Sequence, residues 1–146
     1  MKKRSDNQQP FMPPPEFGHS LTGMSLNVLV TDMDRAVLFA REVLQAEFRY
    51  ADPDIAIAVK NGVQWMIHAD HTYDKHPLLP ITQGASRRGA GLEIRFHNGD
   101  PDQTAKDANT AGFIVLDGPR DQPDHGLREV HIEDQDGYVW VVDQPL

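Results

Sequence analysis

Hydrophobic and polar residues alternate, shift to a helical spacing, and alternate again, and the chain does this twice. Leu26, Val28 and Val30 alternate along "LNVLV", the pattern of a half-buried strand. Thr31 or Asp32 then stands where a helix cap is needed. Met33, Ala36, Val37, Ala40, Val43 and Leu44 recur at helical spacing, which predicts one apolar stripe packed on a sheet. Residues 48–50, 55–59 and 63–68 read as strands, and the last two are joined by Asn61-Gly62, a dipeptide suited to a type I′ hairpin.

The second pass opens with a strand over 92–96. Asp100 caps the next helix, Pro101 takes its first position, Gln103 completes a capping box and Gly112 ends it. Ala105, Ala108 and Ala111 make that helix slim enough to lie close to a sheet. Residues 113–116 read as a strand and 117–126 as a loop of turn residues. Strands over 127–132 and 138–142 complete the chain.

The two passes are copies. Asp32 and Asp34 return 68 residues later as Asp100 and Asp102. "NGVQWM" at 61–66 returns as "DGYVWV" at 136–141, an offset of 75. The order βαβββ, stated twice, predicts an α+β domain of two pseudo-symmetric modules that share a sheet. Module one takes 25–70, a linker 71–91 and module two 92–146. Residues 1–24, with Pro13-Pro14-Pro15, predict a flexible extended arm, for which Phe11, Met12 and Phe17 supply apolar contacts.

Composition narrows the function classes. With no cysteine among 146 residues, disulfides and thiolate metal sites are excluded. No apolar run reaches membrane-spanning length, and the basic first residues lead into no apolar stretch of a secretory signal. A cytoplasmic location is expected. A net charge of −8 argues against a nucleic-acid surface and weakly favours a cationic ligand.

Several polar residues are candidates for chemistry. Glu93 opens an otherwise apolar strand, where it either meets a ligand or pairs with Arg95 or Arg128. His68, His71 and His76 cluster in "HADHTYDKH", but strand alternation separates His68 from His71, so a solvated strand end is expected there. Trp65 and Trp140 occupy equivalent places, and alternation favours the core or a subunit contact over a ligand face. Arg128 and Glu129 read as a structural pair. No nucleophile with an adjacent base, phosphate-cradling glycine loop or H-E-x-x-H helix is present.

The segments "TDMDRAVLFAREVL" and "GLREVHIEDQDGYVW", with the D-P-D helix start, resemble the vicinal oxygen chelate superfamily over about 25–144. That group includes glyoxalase I, extradiol dioxygenases, fosfomycin-inactivating enzymes and bleomycin-resistance proteins. The final segment is most similar to the bleomycin-resistance branch. The resemblance implies two βαβββ modules forming a cupped mixed sheet, in a module-sharing homodimer. It also implies metal-ligand seats on the first and last strand of each module, here Ser25, Met66, Glu93 and Val141. Divalent ions in such sites take imidazole or carboxylate donors. Only Glu93 offers one, and a one-residue slip would substitute Asn27 or Trp140 without assembling three ligands.

No cofactor is therefore expected, a divalent metal at Glu93 being the alternative. His125 stands where the branch pattern often has an aromatic residue before a glycine, which argues against bleomycin itself. The expected ligand-binding residues are Ser25, Asn27, Met66, His68, Glu93, Arg95, His125 and Val141. They would serve a metal-independent protein binding a cationic or planar small molecule at a dimer interface. The alternative is a lyase, isomerase or dioxygenase with an atypical site around Glu93, supported by His68 or His131, or using metal-free acid–base chemistry.

Overall fold

A computed structural model describes residues 12–146. Residues 1–11, including Phe11 of the expected arm contact, lie outside the described residues. Within the segment read as an extended arm, Pro14–Ser20 forms a helix, α1, with Pro14 in its first turn and no buried side chain. Proline is tolerated there because the first helical amides need no intrahelical acceptor.

The chain forms two compact units, each built on one four-stranded mixed sheet. Among the described residues, the first unit comprises 12–37 and 46–81. Its strands are β1 (Leu26–Val30), β2 (Glu47–Ala51), β3 (Ile55–Lys60) and β4 (Val63–Ala69). They are ordered β1-β4-β3-β2, with β1 parallel to β4 and the other pairs antiparallel. The hairpin between β3 and β4 turns through Asn61 at φ 51° and Gly62 at φ 76°, as the dipeptide requires.

The second unit comprises residues 38–45 and 82–146. Its strands are β5 (Glu93–His97), β6 (Ile114–Gln122), β7 (Leu127–Glu133) and β8 (Val139–Pro145). The order β5-β8-β7-β6 repeats the first sheet, again with its first and last strands parallel. The equivalence holds residue by residue: Leu26 lies beside Trp65 and Ile94 beside Trp140. Both tryptophans are core, at 1% and 2% exposure.

Helix α2 (Met33–Leu38) begins where Asp32 Oδ1 accepts the Arg35 amide at 3.0 Å. It continues as a π-turn over Phe39–Val43, closed by the Leu44 amide on the Phe39 carbonyl at 3.2 Å. The wider turn brings Phe39 into the buried stripe beside Ala40, while Val37 is only half-buried. Phe39 then packs edge-on against Phe113 at 4.8 Å and beside Trp140 at 5.9 Å in the second unit's core.

Helix α4 (Pro101–Ala111) starts with Asp100 accepting the Gln103 amide at 2.9 Å and ends at Gly112, φ 75°. The expected capping box is only half formed: the Gln103 side chain turns forward and donates to Asp107 at 2.8 Å. Thr104 and Ala105 bury its inner face with Ala108, which has no exposed surface.

Strand β6 departs most from expectation, because residues 117–122, read as loop, continue the strand to Gln122. The run contains Asp117, Gly118 and Pro119, all poor strand formers, and the ladder tolerates them through irregularities between Val115 and Asp117 and between Asp117 and Arg120. The sheet edge is where such residues can be accommodated, and β6 is an edge strand. A short helix, α3 (Leu79–Thr82), interrupts the linker. Among the described residues, no helix is long and apolar enough to cross a membrane.

Candidate functional site

Cross-strand neighbours share a sheet face, so register assigns the faces. In the second unit, Ile94, Phe96, Val130, Ile132, Trp140 and Val142 alternate onto one apolar face. Phe96 stacks parallel to Trp140 there, ring centres 6.2 Å apart. The intervening positions place Glu93, Arg95 and His97 of β5, Glu129 and His131 of β7, and Val141 and Asp143 of β8 on the opposite face.

That face is organised around one guanidinium. Arg95 donates to Glu129, to Asp143 at 3.2 Å and to Glu93 at 3.2 Å. Burial opposes the Arg95 charge, but its three carboxylate partners outweigh that and hold its pKa above the ordinary arginine value. Glu129 and Asp143 are almost fully buried, whereas half of the Glu93 side chain is exposed. His97 Nδ1 faces Asp143 at 2.9 Å, and His131 Nε2 faces the other Glu93 oxygen at 3.4 Å.

At the Glu93 end the face opens into a cleft of about 600 Å³ lined by Gly91, Leu92, Glu93, Leu116, Asp117, His131 and Val139. Leu92 and Leu116 are each more than two-fifths exposed, so the cleft offers apolar walls around Glu93 and His131. Asp117 lies opposite His131 on β6 and closes on Arg120 at 2.6 Å.

The expected site residues separate by unit. In the second, Glu93 and Arg95 come together with Val141, which lies in register with Arg95 and His131 and has no exposed surface. His125 does not join them; it sits exposed in the turn between β6 and β7. In the first, Asn27 is in register with Met66, and Leu29 with His68, so Asn27, Met66 and His68 share a face. Ser25 is exposed just ahead of β1.

Two local readings are corrected. His68 is 6% exposed rather than solvated, its ring 5.2 Å from Tyr73, which meets His76 at 4.4 Å. His71 is held at 2.7 Å by the fully buried Asp54. Burial pushes the Tyr73 phenol up, against the opposing hydrogen bond from Asn27. Nor do Arg128 and Glu129 pair: adjacent residues on β7 face opposite ways. Arg128 forks onto Asp102 at 2.7 and 2.8 Å, and Glu129 goes to Arg95.

The seats implied for a metal do not fit one. Met66 and Val141 carry no oxygen or nitrogen donor, Ser25 offers a neutral hydroxyl, and Glu93 is engaged by Arg95 and His131. Among the described residues, no group of three or more histidine, aspartate or glutamate side chains is placed to hold a metal ion. The sequence reading offered His131 as a support for Glu93 but did not single out Glu129, Asp117 and Asp143 for this face, although the 75-residue offset carries His68 onto Asp143 and points to that one.

The twice-stated βαβββ order, the matching registers and the open polar face define a vicinal oxygen chelate fold. The chain belongs to the Glyoxalase/Bleomycin resistance protein/Dioxygenase superfamily, whose profile matches residues 21–142. Among solved structures it is similar to the fosfomycin resistance protein FosX from Listeria monocytogenes, at 14% identity and TM-score 0.64, covering 86% of this chain and 95% of that one. A lactoylglutathione lyase from Agrobacterium tumefaciens is similar at 19% identity and TM-score 0.60, with 84% and 92% covered. A glyoxalase/bleomycin resistance protein/dioxygenase family enzyme from Burkholderia phytofirmans PsJN matches at 15% and 0.65, with 84% and 97% covered. At these identities the likeness is one of fold. No curated protein sequence matches the chain.

Proposed function

We propose that this protein is a metal-independent small-molecule binding protein of the bleomycin-resistance type, working as a cytoplasmic homodimer. The observation that carries the reading is the fate of Glu93. The one ligand-competent seat is committed to Arg95 and His131 and lines an apolar-walled cleft. A carboxylate between Leu92, Leu116 and Val139 suits a ligand with a flat apolar body and a cationic group. The cleft is open to solvent, and a second copy would close it.

The test is elemental analysis of protein purified without chelator, followed by a thermal-shift screen with planar organic cations. Metal well below one ion per protomer, together with cation-dependent stabilisation lost in E93Q, is the expected result. One divalent ion per protomer, lost with activity on chelation, would overturn the proposal in favour of a metalloenzyme.

A further inference from the structure

The dipeptide that turns the β3–β4 hairpin occurs twice in the chain, as Asn61-Gly62 and Asn98-Gly99. Both asparagines are exposed, and both hold a left-handed backbone, at φ 51° and φ 60°. An asparagine followed by glycine is open to attack by its own backbone, because the next residue has no Cβ to block the approach. The attacking atom is the glycine amide nitrogen. What that N–H does in the fold therefore decides which pair reacts.

At 98–99 the nitrogen is committed. The Gly99 amide donates to the Asp143 carbonyl at 2.9 Å. Gly99 is also crowded, since an added Cβ would lie 2.4 Å from Val142 Cγ1. Attack there requires the hydrogen bond to break and the backbone to lift away from β8. At 61–62 neither restraint exists. Among the described residues the Gly62 amide makes no hydrogen bond, and nothing lies within 4 Å of where its Cβ would stand. The second-module counterpart of this turn, Asp136-Gly137, is closed like 98–99: Asp136 is 3% exposed, and the Gly137 amide donates to the Asp134 carbonyl at 3.1 Å.

We infer that Asn61 is a site of spontaneous conversion to isoaspartate, with water as the only co-reactant, and that the fold holds Asn98 inert. The Gly62 amide gives its proton to hydroxide and bonds to Asn61 Cγ. The bond from Cγ to the side-chain nitrogen breaks, and ammonia leaves with a proton taken back from water, closing a five-membered succinimide. Water then adds to one of the two imide carbonyls and the ring C–N bond breaks there. Opening at Cγ gives aspartate; opening at the backbone carbonyl leaves the chain running through the side chain, as isoaspartate. Each event adds one negative charge to a chain at −8. Isoaspartate also lengthens a two-residue turn whose length sets the register of β3 on β4. Trp65, paired with Ala58 and 1% exposed, anchors that register, so the change is absorbed at the tip, in the Lys60–Val63 pair.

The test incubates the wild-type protein at neutral and mildly alkaline pH, in native buffer and in denaturing guanidinium. Methyl transfer by an isoaspartate methyltransferase reports isoaspartate, and digestion below neutral pH followed by peptide mapping locates it. In native buffer Asn61 should convert about tenfold faster than Asn98, the ratio set by one buried hydrogen bond that must open. Conversion should be faster at the higher pH, because attack needs the amide anion. In guanidinium the two rates should converge as Gly99 is released. Equal native rates, an Asn98 that stays slow after denaturation, or aspartate at 61 without isoaspartate would each overturn the inference. So would an Asn61 that converts only in guanidinium, since the folded hairpin would then be blocking attack. All these readouts are made on the wild type, so none depends on a variant folding.

Discussion

Asp134 makes the fold's stability depend on pH in the direction opposite to most carboxylates. Its Oδ1 accepts the amides of Asp136 and Tyr138, each at 3.0 Å, and its Oδ2 accepts Trp140 Nε1 at 2.9 Å. Burial pushes its pKa up from 3.8 to about 6, outweighing these three donors, and the nearby Asp136 charge adds to the rise. A carboxyl whose folded pKa is raised contributes its full stability below the unfolded value and loses it as pH climbs through the folded one. A shift of that size corresponds to about 3 kcal/mol, of which about 2 kcal/mol falls between pH 4.5 and 7.5.

The perturbation is D134N, which removes the titration and keeps an acceptor for the two amides. Its own NH₂ would face the Trp140 N–H, so the variant should be less stable by about 1–3 kcal/mol at the acid end. Urea melts of both proteins at half-unit pH steps give the difference directly, and background titrations common to both cancel. The wild-type advantage should shrink by about 2 kcal/mol from pH 4.5 to 7.5. A difference that stays flat, or widens as pH rises, would refute the argument that burial dominates this carboxyl.

Four further substitutions probe other parts of the fold. R95M leaves the buried carboxylates of Glu129 and Asp143 without their shared cation, and chemical denaturation should show a loss of about 3–5 kcal/mol. G137A should be among the most damaging small changes: the residue holds φ 78°, and an added Cβ would lie 2.5 Å from the Arg87 backbone, which calorimetry would record as a large fall in Tm. D100A removes the cap of α4 and should cost about 1 kcal/mol in urea melts, with Q103A costing less because its side chain bonds Asp107 rather than completing a box.

What the sequence made legible follows from periodicity and duplication. Alternation and helical spacing located the strands and α2, while the offsets of 68 and 75 aligned the modules well enough to pair Trp65 with Trp140. The misses have identifiable causes. The π-turn at Phe39–Val43 breaks the 3.6-residue period, so Phe39 was not counted in the stripe. Asp117, Gly118 and Pro119 spell a turn locally, and β6 passes through them because pairing with β7 overrides local preference. His125 lies in the turn that residues 123–126 spell, and only its motif position suggested a place in the binding site.

The duplication also relates the polar residues of the two modules to the seats that the resemblance implies. The two offsets carry Asn27 onto Arg95 and His68 onto Asp143. At Met66, Glu93 and Val141, then, the polar residue sits two positions further along the same strand and on the same face, and Asn27 follows Ser25, just ahead of β1, by the same two. A shift of two keeps a side chain on its face, whereas a shift of one would send it into the core. The seats themselves hold Ser25, Met66 and Val141, with Glu93 alone keeping a charge. In the second unit the displaced residues are tied into one network, and Glu93 is the member of it that lines the cleft. A divalent ion there would have to compete with the Arg95 guanidinium for the same oxygens. An organic cation needs only the exposed side of Glu93 and the apolar walls beside it. Under the function proposed above, recognition of charge and shape at Glu93 takes the place of metal chemistry on this face.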